Sequence, residues 1–303
     1  MKKNRYSLAV LVSGILWGII SLFIKSLSGA GLEPLQIVFL RMLVAFPAFL
    51  IYALARHKSL KIKLKDIWMF IGIGVISEVI FNCFYFYTMI NSEASVAVVL
   101  LYTSPAFILI LSAILFKERI TLRKLTALIL TLAGCVFVSG VVGTAHSIGV
   151  FVIFTGVCSG LFYSLYTIFS RYALKKYSTE TTMVYSFAFA LISSALIGKP
   201  VDSLKFVIDD PILILYALGI GVICTAMPCF LYTWGLRRVE SGKAAVLSAV
   251  EPLVGAMIGM TVYEESRDLF KICGIMLIIA AIIILEFTRL KIPKKIRKHI
   301  KVL

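Results

Sequence analysis

Four ionisable side chains stand inside apolar runs long enough to cross a bilayer: Lys25, Arg41, Glu78 and Glu251. A charge at that depth costs about 2.5–3.5 kcal/mol on insertion scales, so it faces protein or a wet cavity rather than lipid. Helical spacing puts Ser248, Glu251, Pro252, Gly255 and Gly259 on one face. The two glycines let another helix come close, and Pro252, lacking an N–H, frees the Ser248 carbonyl. Such a cluster binds a proton, a cation or a substrate ammonium; the plainer role is a hydrogen bond that locks this helix to its neighbour. Gly74, Glu78, Asn82 and Tyr85 make a second polar face. Two carboxylates at one depth on different helices suit a shared central site that takes up protons in turn. Arg41 either pairs with one of them or holds a substrate carboxylate. Trp17, Tyr85, Tyr232 and Trp234 either line that cavity or pack. Lys25, near the end of its run, is expected to snorkel.

These residues need elements to hold them. The chain of 303 residues is 60% hydrophobic and only 15% charged, against about 25% charged in a soluble domain. Its apolar blocks of about 20 residues match the hydrocarbon core. They predict ten helical spans: about 7–27, 34–55, 67–89, 93–115, 122–141, 147–171, 179–197, 212–236, 242–262 and 269–288. A β-barrel would need short alternating strands. Segment 198–211, with Pro200 and Pro211, is the one connection with room for much of a loop. The expected class is therefore an all-α integral membrane protein in contact with lipid.

The net charge of +16 points to orientation, not to nucleic acid. With the amino terminus in the cytoplasm, 25 Lys and Arg fall on the inner side and 4 on the outer, as the positive-inside rule requires. Both termini are then cytoplasmic. The first span, though preceded by Lys2, Lys3 and Arg5, is too long for a signal-peptide core. The tail 291–303 is a basic anchor or an interfacial helix.

The chain repeats itself. An offset of 146 pairs Gly14, Trp17, Ser21 and Lys25 with Gly160, Tyr163, Thr167 and Arg171. An offset of 147 pairs Tyr85, Glu93, Pro105, Glu118 and Lys124 with Tyr232, Glu240, Pro252, Glu265 and Lys271. The expected halves are 1–144 and 145–303. Each holds five spans, an odd number, so the second enters from the opposite side. Inverted-topology repeats around a mid-membrane site are the basis of alternating access. Pro105 and Pro252, paired by the repeat, and Pro228 are candidate kinks and hinges. Glu78 meets Thr225 and Glu251 meets Ser104, so each half supplies one acid at a different place. Glu118 and Glu265 close their spans and are expected to pair at the interface.

Trp17-Gly18 followed by Lys25, Arg41, Pro105 followed by Glu118, and Glu251-Pro252 followed by Glu265 resemble the EamA family of the drug/metabolite transporter superfamily. The resemblance spans both halves. It implies a ten-helix secondary transporter, an exporter or exchanger of a small metabolite such as an amino acid, in a bacterial or archaeal plasma membrane. Glu264-Glu265-Ser266, where the first half has Lys117-Glu118-Arg119, departs from a symmetric pattern. No P-loop is present, so a proton, ion or substrate gradient must drive transport. The alternative is a membrane-embedded enzyme for a lipid-linked substrate. Against it, His57, His146 and His299 are scattered and the six cysteines lie within spans without metal-ligand spacing. No catalytic residue, metal or cofactor is expected.

Overall fold

The computed structural model describes residues 2–92, 94–140, 149–264 and 269–286. Glu93, Glu265, the boundary at 144/145 and the basic tail lie outside them. The described regular structure is helical. In chain order the helices are α1 (Arg5–Gly29), α2 (Pro34–Ala55), α3 (Leu64–Ile90), α4 (Val96–Phe116), α5 (Leu122–Ser139), α6 (Val150–Ala173), α7 (Thr179–Ala195), α8 (Pro200–Ile208), α9 (Pro211–Leu236), α10 (Ser241–Val262) and α11 (Leu269–Leu285). Eight of them are long and apolar enough to span a bilayer, or nine with the bent pair α7–α8 taken as one span. The sequence led to ten; α11 is apolar but falls short of span length.

Local signals set the boundaries. Pro34 opens α2, where Gln36 Oε1 accepts the Glu33 N–H at 2.8 Å, a reciprocal cap. Thr121 caps α5 and Ser178 caps α7 through their hydroxyls. Asp210 caps α9 ahead of Pro211. The expected loop 198–211 is instead mostly helix: α8 begins at Pro200 and turns 96° from α7. Proline at the first helical position is preorganised for helix and lacks only an N–H that would be unpaired there. α8 buries Ser203 and Val207 and exposes Val201, Phe206 and Ile208.

The bundle is apolar outside and mixed inside. Ile51, Ile114, Ile129, Leu196, Leu215 and Met276 are exposed, as lipid contact allows. Ser13, Thr88, Ser159, Ser164 and Thr167 are buried. Small hydroxyl residues let helices approach and satisfy themselves on helix carbonyls; Thr88 also bonds Thr155 across α3 and α6 at 2.9 Å. α5 packs along α11, α1 along α9, α2 along α7, and α3 along α6 and α7.

Two helices are interrupted for two residues each, with the backbone kept near the right-handed helical region and each span continuing beyond. α4 is interrupted at 102–103 and resumes at Ser104-Pro105; α10 is interrupted at 249–250 and resumes at Glu251-Pro252. Each proline therefore starts a second half-helix, where its missing N–H costs least. The interruptions are 147 residues apart; α1 meets the one in α10, and α6 meets the one in α4. A Cβ on Gly14 of α1 would lie 2.5 Å from the Ser248 carbonyl oxygen. A Cβ on Gly160 of α6 would lie 3.0 and 3.1 Å from the carbonyls of Leu100 and Leu101. Only glycine permits that approach. Gly255, expected to serve this purpose, does not: its nearest neighbour would be 4.0 Å away.

At the face where α1 begins, Glu118 ties the halves together. Its side chain, 6% exposed, accepts from Arg171 Nη2 at 3.0 Å, from the Ser241 N–H and hydroxyl at 2.9 Å each, and from the Gly242 N–H. It thus caps α10 from a distant loop, where free N–H groups and the helix dipole favour an anion. Lys124 bridges Glu118 and Glu240, at 3.8 and 2.7 Å. Burial pushes the Glu118 carboxyl up, but the Ser241 hydrogen bonds and the Arg171 charge outweigh it and hold it below the ordinary carboxylate range.

Two outcomes follow. Gly14→Ala is expected to cost about 1–3 kcal/mol through overpacking and to lower the thermal midpoint in detergent. Gly29→Ala, with open space around it, should melt like wild type. A depressed folded-state pKa contributes stability that is present above the unfolded value, about 4.3, and is lost as pH falls through the folded one. Glu118→Gln is therefore expected to lower the midpoint at pH 7, with the gap to wild type narrowing below about pH 4.3; a pH series of melting curves checks it.

Candidate functional site

The middle of the bundle is shaped by two π-helical stretches, Gly72–Ile80 in α3 and Val222–Ala226 in α9. A π turn inserts one residue and re-aims the side chains around it. In each, a hydroxyl donates to the carbonyl five residues back: Ser77 to Gly72 at 3.0 Å, Thr225 to Ile220 at 2.9 Å. The first turn carries Glu78, buried at 8% exposure, and the second carries Thr225, its repeat counterpart. Both are directed at Arg41 of α2. Arg41 Nε donates to Thr225 Oγ1 at 2.9 Å, and Glu78 and Glu251 act on Arg41 through their charge. Among the described residues neither carboxylate makes an ion pair with it.

Glu251 opens the second half of α10. A carboxylate in the first turn of a helix is stabilised by the free N–H groups there. Tyr102 and Tyr163 line the same cavity as Glu251. Asn82 donates through Nδ2 to the Glu78 carbonyl, one of those the π turn releases.

These groups enclose a cavity of about 170 Å³. All seven binding candidates border it: Trp17, Arg41, Glu78, Asn82, Tyr85, Ser248 and Glu251. Pro105 also borders it, whereas Pro228 is buried behind, directly after the π turn of α9, and α9 stays continuous there. Ser248 and Glu251 reach the cavity from opposite sides of the helix break. The sequence singled out neither Tyr102 nor Tyr166, and it met Tyr163 only as the repeat partner of Trp17. That pairing was the available signal. Trp17 and Tyr232 close the floor: their rings are 5.4 Å apart, and the Tyr232 hydroxyl bonds Thr167 at 2.8 Å. Below that floor lies the Glu118 latch. The lining continues from Trp17 through Ile20 and Ile24 toward the opposite face. There Lys25 is exposed, and its ammonium sits 3.3 Å above the Tyr263 ring, a cation–π contact.

Taken together, the cavity presents one cation, two carboxylates and a ring of phenols in a water-poor setting. It offers no nucleophile–base pair, and the described residues contain no cluster suited to a metal. All six cysteines are free, with Cys135, Cys224 and Cys229 buried and Cys273 exposed on α11.

Relatives agree with a transport role. An Archaeoglobus fulgidus protein named an uncharacterized transporter is 28% identical over 279 residues, 91% of this chain and 94% of its own length. The uncharacterized transporter YcxC of Bacillus subtilis is 26% identical, covering 92% and 91%. The uncharacterized inner membrane transporter YicL of Salmonella typhimurium is 24% identical, covering 92% and 94%. A protein solved by crystallography superposes with a TM-score of 0.77 at 19% identity, covering 93% of this chain and 98% of its own, a likeness of fold. The EamA-like transporter family model matches twice, over residues 4–140 and 150–287. The chain is an integral membrane protein and belongs to the EamA-like transporter family.

Proposed function

We propose that the chain is a secondary transporter that exports or exchanges a small metabolite, such as an amino acid, by alternating access. The observation that carries this reading is the meeting of Arg41, Glu78 and Glu251 around one enclosed cavity. They come from both halves of the chain and sit where no buried charge would be retained for packing alone. In this reading Arg41 holds a substrate carboxylate. Glu251 holds the ammonium or a proton exchanged for it, and Glu78 adds a second proton or ion site.

Ten spans complete the scheme, with α7 and α11 as the seventh and tenth and α8 as a bend at the interface. The reciprocal contacts of Gly14 and Gly160 with breaks 147 residues apart support an inverted repeat. So does the double match of the family model. Charge asymmetry puts both termini in the cytoplasm. The Trp17–Tyr232 floor and the Glu118 latch then close the cytoplasmic side, and the cavity faces outward. In the opposite state the latch releases and the lining near Ile24 closes.

Purified protein in proteoliposomes, assayed with a mixture of labelled amino acids, tests this. Glu251→Gln is expected to insert and melt normally while flux falls at least about tenfold, the loss of one interaction of 1.4 kcal/mol. Arg41→Lys should fall similarly, because an ammonium cannot hold Thr225 and a carboxylate in one planar fork. Unchanged flux in both variants would overturn the site.

A further inference from the structure

A second cavity, apart from the central one, opens at the face where α1 begins. This cleft of about 630 Å³ lies between the ends of α4, α6 and α9. Five cations border it: Lys117, Arg171, Lys175, Arg237 and Arg238. No carboxylate borders it, and the floor is apolar, with Leu115, Phe116, Leu174, Leu236 and Tyr6.

Two ordinary explanations account for part of this charge. The first is the dipole of helices that end here. Three C-termini bring about −0.5 charge each. Arg171 answers some of it, donating to the Leu236 and Val239 carbonyls at 2.7 and 3.2 Å, and it also carries Glu118. Four exposed cations remain, and among the described residues none of them pairs with a carboxylate. Set against about −1.5 from the helix ends, they leave an excess of about two to three positive charges in one concave space. The second explanation is membrane orientation, which needs basic residues on this face but not their convergence on one cleft.

Their placement is specific. Lys117 ends α4 in the left-handed region, at φ 55°, where glycine is the easy choice. The Lys175 ammonium lies 4.9 Å from the Phe116 ring and 5.1 Å from the Tyr172 ring, which restrains a side chain that is otherwise mobile. Arg237 and Arg238 follow α9 directly and are exposed. Clefts of one sign focus the field and concentrate counter-ions. Guanidinium pairs beside ammonium groups match the geometry of a phosphate.

We propose that this cleft binds a phosphate group, carried either by an anionic phospholipid or by a small soluble anion. The apolar floor accommodates the carbon atoms next to the phosphate. Leu115, 44% exposed, and Ile114, 68% exposed, continue that floor onto the lipid-facing surface, as a headgroup site requires. The site is independent of whatever the central cavity carries.

The test compares two triple variants of the full-length protein. Lys117→Gln/Arg237→Gln/Arg238→Gln empties the cleft and spares Arg171, which the latch uses. Lys61→Gln/Lys63→Gln/Lys65→Gln removes the same charge from the exposed 56–66 loop. Binding of phosphatidylglycerol, with phosphatidylcholine as the neutral reference, is counted by native mass spectrometry. Binding of inorganic phosphate and pyrophosphate is measured by calorimetry. Wild type and the loop variant are expected to bind alike, and the cleft variant at least tenfold more weakly. Retention of phosphatidylglycerol alone assigns the site to a lipid headgroup; binding of the soluble anions as well assigns it to the phosphate itself. Equal losses in both triple variants, or no binding of any probe by wild type, overturn the proposal. If the cleft triple variant does not fold, Arg238→Glu replaces it with the same expected outcome.

Discussion

A guanidinium inside an apolar bundle sets the terms for everything around it. Arg41 cannot lose its proton, and its desolvation must be offset by hydrogen bonds and opposite charge. The chain meets that demand with backbone. A π turn in α3 brings Glu78 toward Arg41, and a π turn in α9 brings Thr225, which takes the Nε–H. Both turns are less regular than an α-helix and survive because hydroxyls satisfy the displaced carbonyls. The two acids balance Arg41 at a distance instead of pairing with it. A direct ion pair would use up its donors; in the proposed transport reading these are the donors that meet a solute.

The same logic governs the broken helices. Each break exposes backbone carbonyls, which are costly in lipid and tolerable only against protein. Gly14 and Gly160 bring helix backbones onto them. The α10 interruption therefore rests on α1, and the α4 interruption on α6. Glu251 resumes the helix after one interruption. The other places Tyr102, at its edge, on the wall of the cavity that Glu251 also lines.

Much of this was legible in the sequence. Apolar run length gave the spans, and the rarity of buried charge drew attention to Arg41, Glu78 and Glu251. Glu251-Pro252 was marked as a kink, and it is there that α10 is interrupted, over 249–250. The π turns were not legible. They arise where tertiary contacts compete with helix hydrogen bonds, and Gly72–Ile80 has an ordinary apolar pattern. α8 was hidden for the opposite reason: Pro200 and Pro211 read as breakers, whereas one opens a short helix and the other opens α9. The Lys25–Tyr263 contact joins distant segments, so no local spacing signals it. Tyr102 and Tyr163 were indistinguishable from packing aromatics until the breaks placed them.

The asymmetry of the halves bears on how the proposed cycle runs. Scaffold positions repeat, including both prolines, both close-contact glycines and both π turns. The acids do not: Glu78 stands opposite Thr225, and Glu251 opposite Ser104. If the two halves exchange conformations when the cavity changes sides, the scaffold is the same before and after, but each carboxylate finds itself in the other state's surroundings. Two identical sites would show the solute equal affinity from either side. Two unlike sites change their hold on protons and solute as access changes, and a ligand shifts such an equilibrium only through its difference in affinity between states. In the proposed cycle the charges that do not repeat make the two states unequal in their hold on protons and solute, the duplicated scaffold lets those states interconvert, and the gradients set the direction of net flux.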